Sequence, residues 1–180
     1  MISLQEVTKF NPELRLMMQN HYSKPKSFVA RSICYLVKYG WITYGAIVAG
    51  SALRHIIGRD DVIPLEIDLQ EIVCNTFYHI NRHDGKYPER NFTISVLAEF
   101  RKRSAIDWQE RYGDTVKAFE SLVELPRTGE IYSRDGWREV GMTKGYTCKR
   151  EGGEGTDSWS GKRVWNTVDL RPKRVFCRLA

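Results

Sequence analysis

Between residues 115 and 150 the chain reads TVKAFESLVELPRTGEIYSRDGWREVGMTKGYTCKR, and this stretch narrows the possible folds more than any other. Val116, Phe119, Leu122 and Val123 make a short apolar run with β-branched and aromatic members that stops at Pro126, which reads as a buried strand because it is too brief for a helix. Residues 127–132 then supply a turn or two of helix, Gly136 closes it, and residues 137–150 read as another strand. Strand, short helix, glycine with an aromatic behind it, strand: that order predicts an α/β protein whose sheet is completed by strands upstream.

The upstream sequence supplies them. Asn11-Pro12 predicts a helix start, with Asn as cap and Pro in the first turn, and Leu14, Met17 and Met18 give the helix an apolar face up to about residue 20. Alternation at Ile33, Tyr35 and Val37, then Tyr39-Gly40, then residues 41–50 predicts a β-hairpin whose tight turn uses a positive φ at Gly40. Gly45 and Gly50 on its second strand predict close approach of another backbone or a ligand. Residues 51–69 give no regular pattern beyond a loop at 58–61. Residues 67–80 read as a central strand, with Ile72, Cys74 and Thr76 on one face and Val73, Asn75 and Phe77 on the other. A polar loop at 81–89 leads to a helix over 92–112 capped by Asn91, with Ile94, Leu97, Phe100 and Trp108 along one stripe. Residues 151–161 are too rich in Gly and Ser for a regular element, and a last strand over 174–179 pairs with the one near Gly141.

A chain of 180 residues suffices for a single domain, and we expect one, with no linker and with a basic, Gly- and Trp-containing segment over 150–180. No apolar run is long enough to cross a bilayer, and MISLQEVTKF lacks the charged head and apolar centre of a secretory signal, so the expected location is the cytoplasm. Cys34, Cys74, Cys148 and Cys177 form no C-x-x-C pair and read as core thiols rather than a zinc site. The net charge of +6 is concentrated: residues 141–180 hold nine Lys and Arg against four acids. With Trp159 and Trp165 among them, this is either a nucleic-acid footprint or a solvated basic face, and composition does not choose between the two.

The order of elements, with Tyr132 four residues before Gly136, Trp137 directly after it and Val-Gly at 140–141, resembles the C-terminal half of the GNAT acyltransferase superfamily. The resemblance implies a mixed sheet splayed between two central strands and flanked by helices. A narrower one covers nearly the whole chain. HYSKPKSFVARSICYLV, GAIVAGSA, NTFYH, YPERNF, YGDTVKAFESLVELPRTGEIY, GWREVGMTKG, SWSGKRVW and PKRVF are similar to the Mom family of phage DNA-modification proteins. It implies an enzyme of Mu-like phages, made in the cytoplasm of the infected bacterial host, that converts adenine in double-stranded DNA to a carbamoylmethyl (acetamido) adenine and so protects the phage DNA from restriction. Glycyl-tRNA is then the implied group donor, with acetyl-CoA as the superfamily's usual one; tRNA becomes a partner, and iron an associated metal. The Gly-rich phosphate loop of the superfamily is reduced here to Gly85 in residues 83–91, which weighs against acetyl-CoA. Arg90 and the helix start at Asn91 still offer a place for a phosphate.

The candidate residues follow from the chemistry. An exocyclic amine has its lone pair delocalised into the ring, so a base must take its proton as attack proceeds. Glu124, ending its strand, is that base, with Asp114 in reserve; most glutamates are simply solvated, and Arg127 stands close enough in sequence to make that the bland alternative. The resemblance makes Tyr132 the proton donor to the leaving group, against a role as a core aromatic. His21 and Tyr22, just after the first helix, are candidates for substrate contact or proton transfer, although a lone His is more often structural. Asn75, Ser95 and Ser121 are candidate hydrogen-bonding residues for substrate or donor, with Asn75 equally readable as a buried structural amide. His21, His79 and His83 are the first ligands to consider should iron bind. Lys144, Arg163, Lys173 and Arg174 are candidate DNA-backbone contacts, and Trp159 or Trp165 could fill the space left by a flipped adenine. Two functions compete with DNA modification: a CoA-dependent acetyltransferase for a protein or small amine, and a non-catalytic DNA-binding protein that shields restriction sites by occupancy.

Overall fold

The structure is a computed structural model that describes residues 1–28, 30–145, 147–151, 162–166 and 170–180. Its strands are β1 (Ile2–Val7), β2 (Ser32–Tyr39), β3 (Ile42–Ser51), β4 (Ile72–Ile80), β5 (Ala118–Glu124), β6 (Arg138–Met142), β7 (Thr147–Glu151), β8 (Lys162–Asn166) and β9 (Lys173–Leu179). Its helices are α1 (Pro12–Asn20), α2 (Phe92–Tyr112) and α3 (Glu130–Arg134). Seven strands form one mixed sheet in the order β1-β2-β3-β4-β5-β9-β6, and β7 and β8 pair in a separate ribbon. Every pairing in the large sheet is antiparallel except β4 with β5. Among the described residues no helix is long and apolar enough to cross a membrane.

Asn11 caps α1 as its sequence predicts, its Oδ1 accepting from the Leu14 amide at 3.1 Å, and Gly40 has a φ of 59° at the turn between β2 and β3. Three expectations need correction. β1 was not legible as a strand. Residues 68–71 form a capped single turn rather than part of β4, and residues 137–150 make two strands, β6 and β7, instead of one.

The parallel pair decides where the site lies. β4 and β5 are in register from Ile72 opposite Ala118 to Asn75 opposite Ser121; beyond that point their ends, to Ile80 and Glu124, part. A β-bulge lies at the same level. Val48 of β3 faces Phe77 while Ala49 faces Asn75, so Thr76 is the extra residue, and a bulge of this kind bends its strand and sharpens its twist. It also breaks the simple alternation predicted for β4: Val73 packs under α2, whereas Phe77 packs with α1. Along the other edge of β4, a Cβ on Gly45 would sit 1.9 Å from the His79 carbonyl oxygen, so the glycine is what lets the two backbones meet there. At Gly50 the neighbour is the Thr76 side chain.

The core lies on both faces. Phe92, Val96, Leu97, Phe100 and Trp108 of α2, with Tyr132 of α3, bury one face against Ile33, Tyr35, Ile47, Val73, Phe119 and Phe176. Leu14 and Met18 of α1 cover Cys34, Leu36, Ala46, Val48 and Phe77 on the other. The predicted stripe on α2 therefore holds except at Ile94, which is half-buried; Asp107 is buried in its place, accepting from the Tyr35 hydroxyl at 2.8 Å. Cys34, Cys74 and Cys177 are buried free thiols.

The segment 52–67 covers the remaining patch, formed by Ile72, Ala118, Val175 and Cys177, and a buried ion pair holds it there. Arg59 donates to Glu120 through Nε at 2.9 Å, with Nη2 2.7 Å from the same carboxylate. The other Glu120 oxygen accepts from the Leu53 amide at 2.8 Å, and Arg59 also donates to the Leu53 carbonyl. Glu120 is fully buried, so each of its oxygens needs these partners.

Candidate functional site

The parting of β4 and β5 opens a cleft of about 780 Å³. Residues 75–80 of β4 and 121–123 of β5 form its walls, residues 126–132 and Lys173 one rim, and residues 20–23 another. Its apex is a hydrogen-bonded group. The Tyr132 hydroxyl donates to Asn75 Oδ1 at 2.6 Å, Asn75 Nδ2 donates to the Phe77 carbonyl at 3.0 Å and the Val48 carbonyl at 3.2 Å, and Ser121 Oγ donates to the Asn75 carbonyl at 3.2 Å. Three candidates separated in sequence are thus one unit. Tyr132 arrives because Gly129 starts α3 and accepts the Tyr132 amide at 2.8 Å, and its ring lies 5.4 Å from Phe176 and 5.1 Å from Trp137. Burial raises its phenol pKa well above the usual range, so the group stays protonated and can donate but not act as a base.

At the mouth stand His21 and Tyr22. α1 ends at Asn20, and His21 takes an extended conformation, φ −74° and ψ 147°, which brings its ring against the sheet. The ring lies 4.6 Å from Phe77, 4.1 Å from Tyr22 and 5.7 Å from His79. Nδ1 lies 2.8 Å from Ser23 Oγ and accepts from the Ser23 amide at 3.2 Å. Burial, then the neighbouring His79, lowers the His21 pKa from 6.5 to about 4; a contact with the Tyr78 main chain opposes them, and Arg127 lowers it further. Burial also lowers His79, against a hydrogen bond with Asn81. His21 is therefore neutral at pH 7 and already engaged, a positioning group more than a proton acceptor. Arg127 covers the Tyr22 ring with its guanidinium 3.4 Å from the centroid, a cation–π lid on the cleft. Burial raises the Tyr22 pKa, while Arg127 and the Glu124 main chain partly offset that.

These shifts fix a pH dependence. Between about pH 6.5 and about 4 the unfolded chain holds a proton on residue 21 that the folded chain excludes, so the contribution is complete above 6.5 and lost as pH falls toward 4. Urea unfolding at a series of pH values should show stability falling through this window, and His21→Gln should flatten that slope by at most about 1.4 kcal/mol per pH unit. An unchanged slope in the variant would refute the assignment.

Several candidates are placed elsewhere than expected. Glu124 is half-buried and lines a second pocket, of about 510 Å³, with Lys144 and Lys173; that pocket shares Ser23, Leu122 and Lys173 with the cleft. Asp114 precedes β5, at the opposite end of the strand from Glu124, and pairs with Arg31. It is no reserve base. Ser95 lies on α2 and is not part of the cleft wall, where Thr93 is found instead. Asn91 holds the N-cap position with a φ of 62°, yet its side chain caps nothing and accepts from Arg134 at 2.8 Å. The Phe92 amide is bonded to the Glu89 carbonyl at 3.4 Å and Arg90 is exposed, so this helix start is not laid out as a cradle of free amides. Arg174 pairs with Glu139 at 2.8 Å instead of facing outward for a phosphate. His83 lies against Tyr44 with Nε2 3.0 Å from the Thr43 carbonyl, so the three histidines do not converge. Among the described residues no group of three or more metal-ligating side chains is assembled, and the donor set does not fit iron. Trp159 lies outside the described residues; Arg163 and Trp165 are placed on β8 by backbone alone. The analysis of the sequence missed Arg127 and Thr93, and only the proximity of Arg127 to Pro126 hinted at a turn into the cleft.

No family model and no curated protein sequence matches the chain. Solved structures do. A GNAT family acetyltransferase from Elizabethkingia anophelis with acetyl-CoA bound is similar over 99% of this chain and 98% of that one, with a TM-score of 0.57 and 13% identity. An IAA acetyltransferase from Bacillus cereus matches over 100% of both chains, with a TM-score of 0.57 and 13% identity. A Bacillus subtilis acetyltransferase in complex with CoA matches over 99% and 97%, with a TM-score of 0.58 and 12% identity. At this identity the likeness is one of shape, and it agrees with the splayed parallel pair: the chain has the fold of the GNAT acetyltransferases.

Proposed function

We propose that this protein is a group-transfer enzyme of the acyltransferase type, acting on an amine. The observation that carries the reading is the gap between β4 and β5, with a buried, protonated phenol at its apex and an aromatic mouth at residues 21–22. An activated acyl donor with an extended arm fits along the parted strands. Its fit to coenzyme A is partial: the arm has a channel, but residues 83–91 give no amide cradle for a diphosphate, so no step is assigned to that cofactor. Tyr132 donates a proton to the leaving group. Glu124, next to the junction of cleft and second pocket, accepts the proton of the attacking amine. His21 and Tyr22 position the acceptor beneath Arg127.

For the acceptor we propose the exocyclic amine of adenine in DNA, extruded from the duplex because a paired amine cannot enter such a cleft. The similarity to Mom proteins and the basic groups beside the cleft, Arg127, Lys144 and Lys173, support this reading. In it the product is carbamoylmethyl adenine, glycyl-tRNA is the finer proposal for the donor, and the setting is the infected host's cytoplasm. The second reading, CoA-dependent acetylation of a protein or small amine, is favoured by the shape shared with acetyltransferases that hold acetyl-CoA or CoA. Nucleoside mass spectrometry of DNA from cells expressing the protein separates the two. A heavier adenine nucleoside is expected, and Glu124→Gln should reduce its yield about 100-fold or more while the protein stays folded. An unmodified digest, together with acetyl transfer from acetyl-CoA to peptides or small amines by the purified protein, would establish the second reading instead. Restriction protection that disappears once protein is stripped from otherwise normal DNA would indicate occupancy without chemistry.

A further inference from the structure

The second pocket has a floor that the chemistry above does not use. Residues 143–145 and 171–173 cross there and are tied main chain to main chain: the Arg171 amide donates to the Gly145 carbonyl at 2.9 Å, and the Thr143 amide to the Lys173 carbonyl at 2.9 Å. The Lys173 amide donates to Thr143 Oγ1 at 3.0 Å. The crossing is so close that a Cβ on Gly145, where φ is 77°, would lie 2.3 Å from the Arg171 carbonyl carbon. Two short segments from distant parts of the chain are thereby fixed, and Lys144, Arg171 and Lys173 line one concavity of about 510 Å³. The one carboxylate in its wall, Glu124, stands across the strand pair from Lys173, leaving an excess of positive charge. Because Ser23, Leu122 and Lys173 belong to both spaces, whatever fills this pocket is continuous with what fills the cleft.

We propose that this pocket binds a phosphate group of the acceptor, so that the enzyme selects amines carried on a phosphorylated nucleoside or a nucleic-acid strand. The proposal rests on the reading of the acceptor as a nucleobase and adds to it the place where the strand is held. Cations presented from a cross-tied backbone lose little freedom on binding, which favours a phosphodiester over the many neutral amines that the cleft alone would admit.

The test compares binding of the single-stranded trinucleotide dTpdApdT with its uncharged methylphosphonate analogue, by isothermal titration calorimetry, to the full-length protein. Wild type should bind the charged form at least tenfold more tightly, and the advantage should fall as salt is raised. Lys144→Ala and Lys144→Ala combined with Arg171→Ala should remove that advantage while leaving binding of the methylphosphonate form and the circular dichroism spectrum unchanged. Equal binding of the two forms by wild type, or an advantage that survives in the double variant, overturns the proposal. Inorganic phosphate is titrated in parallel. If it shifts the Lys144 and Gly145 amide resonances and the variants abolish those shifts, but no trinucleotide binds, the anion site stands and the nucleobase reading of the acceptor falls.

Discussion

Glu120→Leu is expected to cost about 3–5 kcal/mol of folding stability, because it leaves the Arg59 guanidinium buried without its counter-charge. Desolvation raises the Glu120 pKa, and the opposing partners are the Leu53 amide and Arg59, so the carboxylate depends on both to remain charged inside the protein. The double variant Arg59→Met with Glu120→Leu should recover much of the loss, since an apolar pair of similar volume avoids both desolvation penalties. Recovery should stop short of wild type. The Leu53 amide and carbonyl lose their partners in the double variant, and an unpaired buried group costs about 1–3 kcal/mol. Urea melts of the four proteins close the cycle. Equal losses in the single and double variants would mean that the pair does not hold residues 52–67 against the sheet.

Tyr132→Phe is expected to lower turnover by about 10²–10⁴-fold, the usual range for a group that transfers a proton in the transition state. The phenol is the only part removed, and the ring remains between Phe176 and Trp137. The structural cost is the unpaired Asn75 Oδ1, about 1–3 kcal/mol of stability. Donor and acceptor KM should change little beside kcat, because the hydroxyl acts on the departing group and not on either bound substrate. Turnover within threefold of wild type would reduce Tyr132 to a packing residue that anchors Asn75.

The extent to which the sequence revealed this molecule depended on how local each signal was. Asn11-Pro12, the alternation over 33–50 and the stripe of α2 are written within a few residues, and each corresponds to an element in the structure. β1 was not legible because Leu4 alone of its six residues is buried, so an edge strand had little pattern to offer. The face of Phe77 was misread because a bulge depends on the partner strand, which a single strand's alternation does not encode. Glu120 and Arg59 are 61 positions apart, and nothing local marks either as the other's partner. In the site, Tyr132, Asn75 and Ser121 were each named for separate reasons, while their union at one apex came only from the parallel register of β4 and β5. Glu124 lies one residue beyond the stretch of β5 that walls the cleft, enough to place its carboxylate in the neighbouring pocket.

Because Gly145 and Arg171 are joined amide to carbonyl, the 25 residues between them leave the main body and return to it through a single doorway. The ribbon of β7 and β8 can therefore be swapped for that of a relative, or trimmed to a tight loop, with the large sheet and its cleft preserved. Such an arrangement lets target preference diversify between lineages while the transfer chemistry is inherited unchanged.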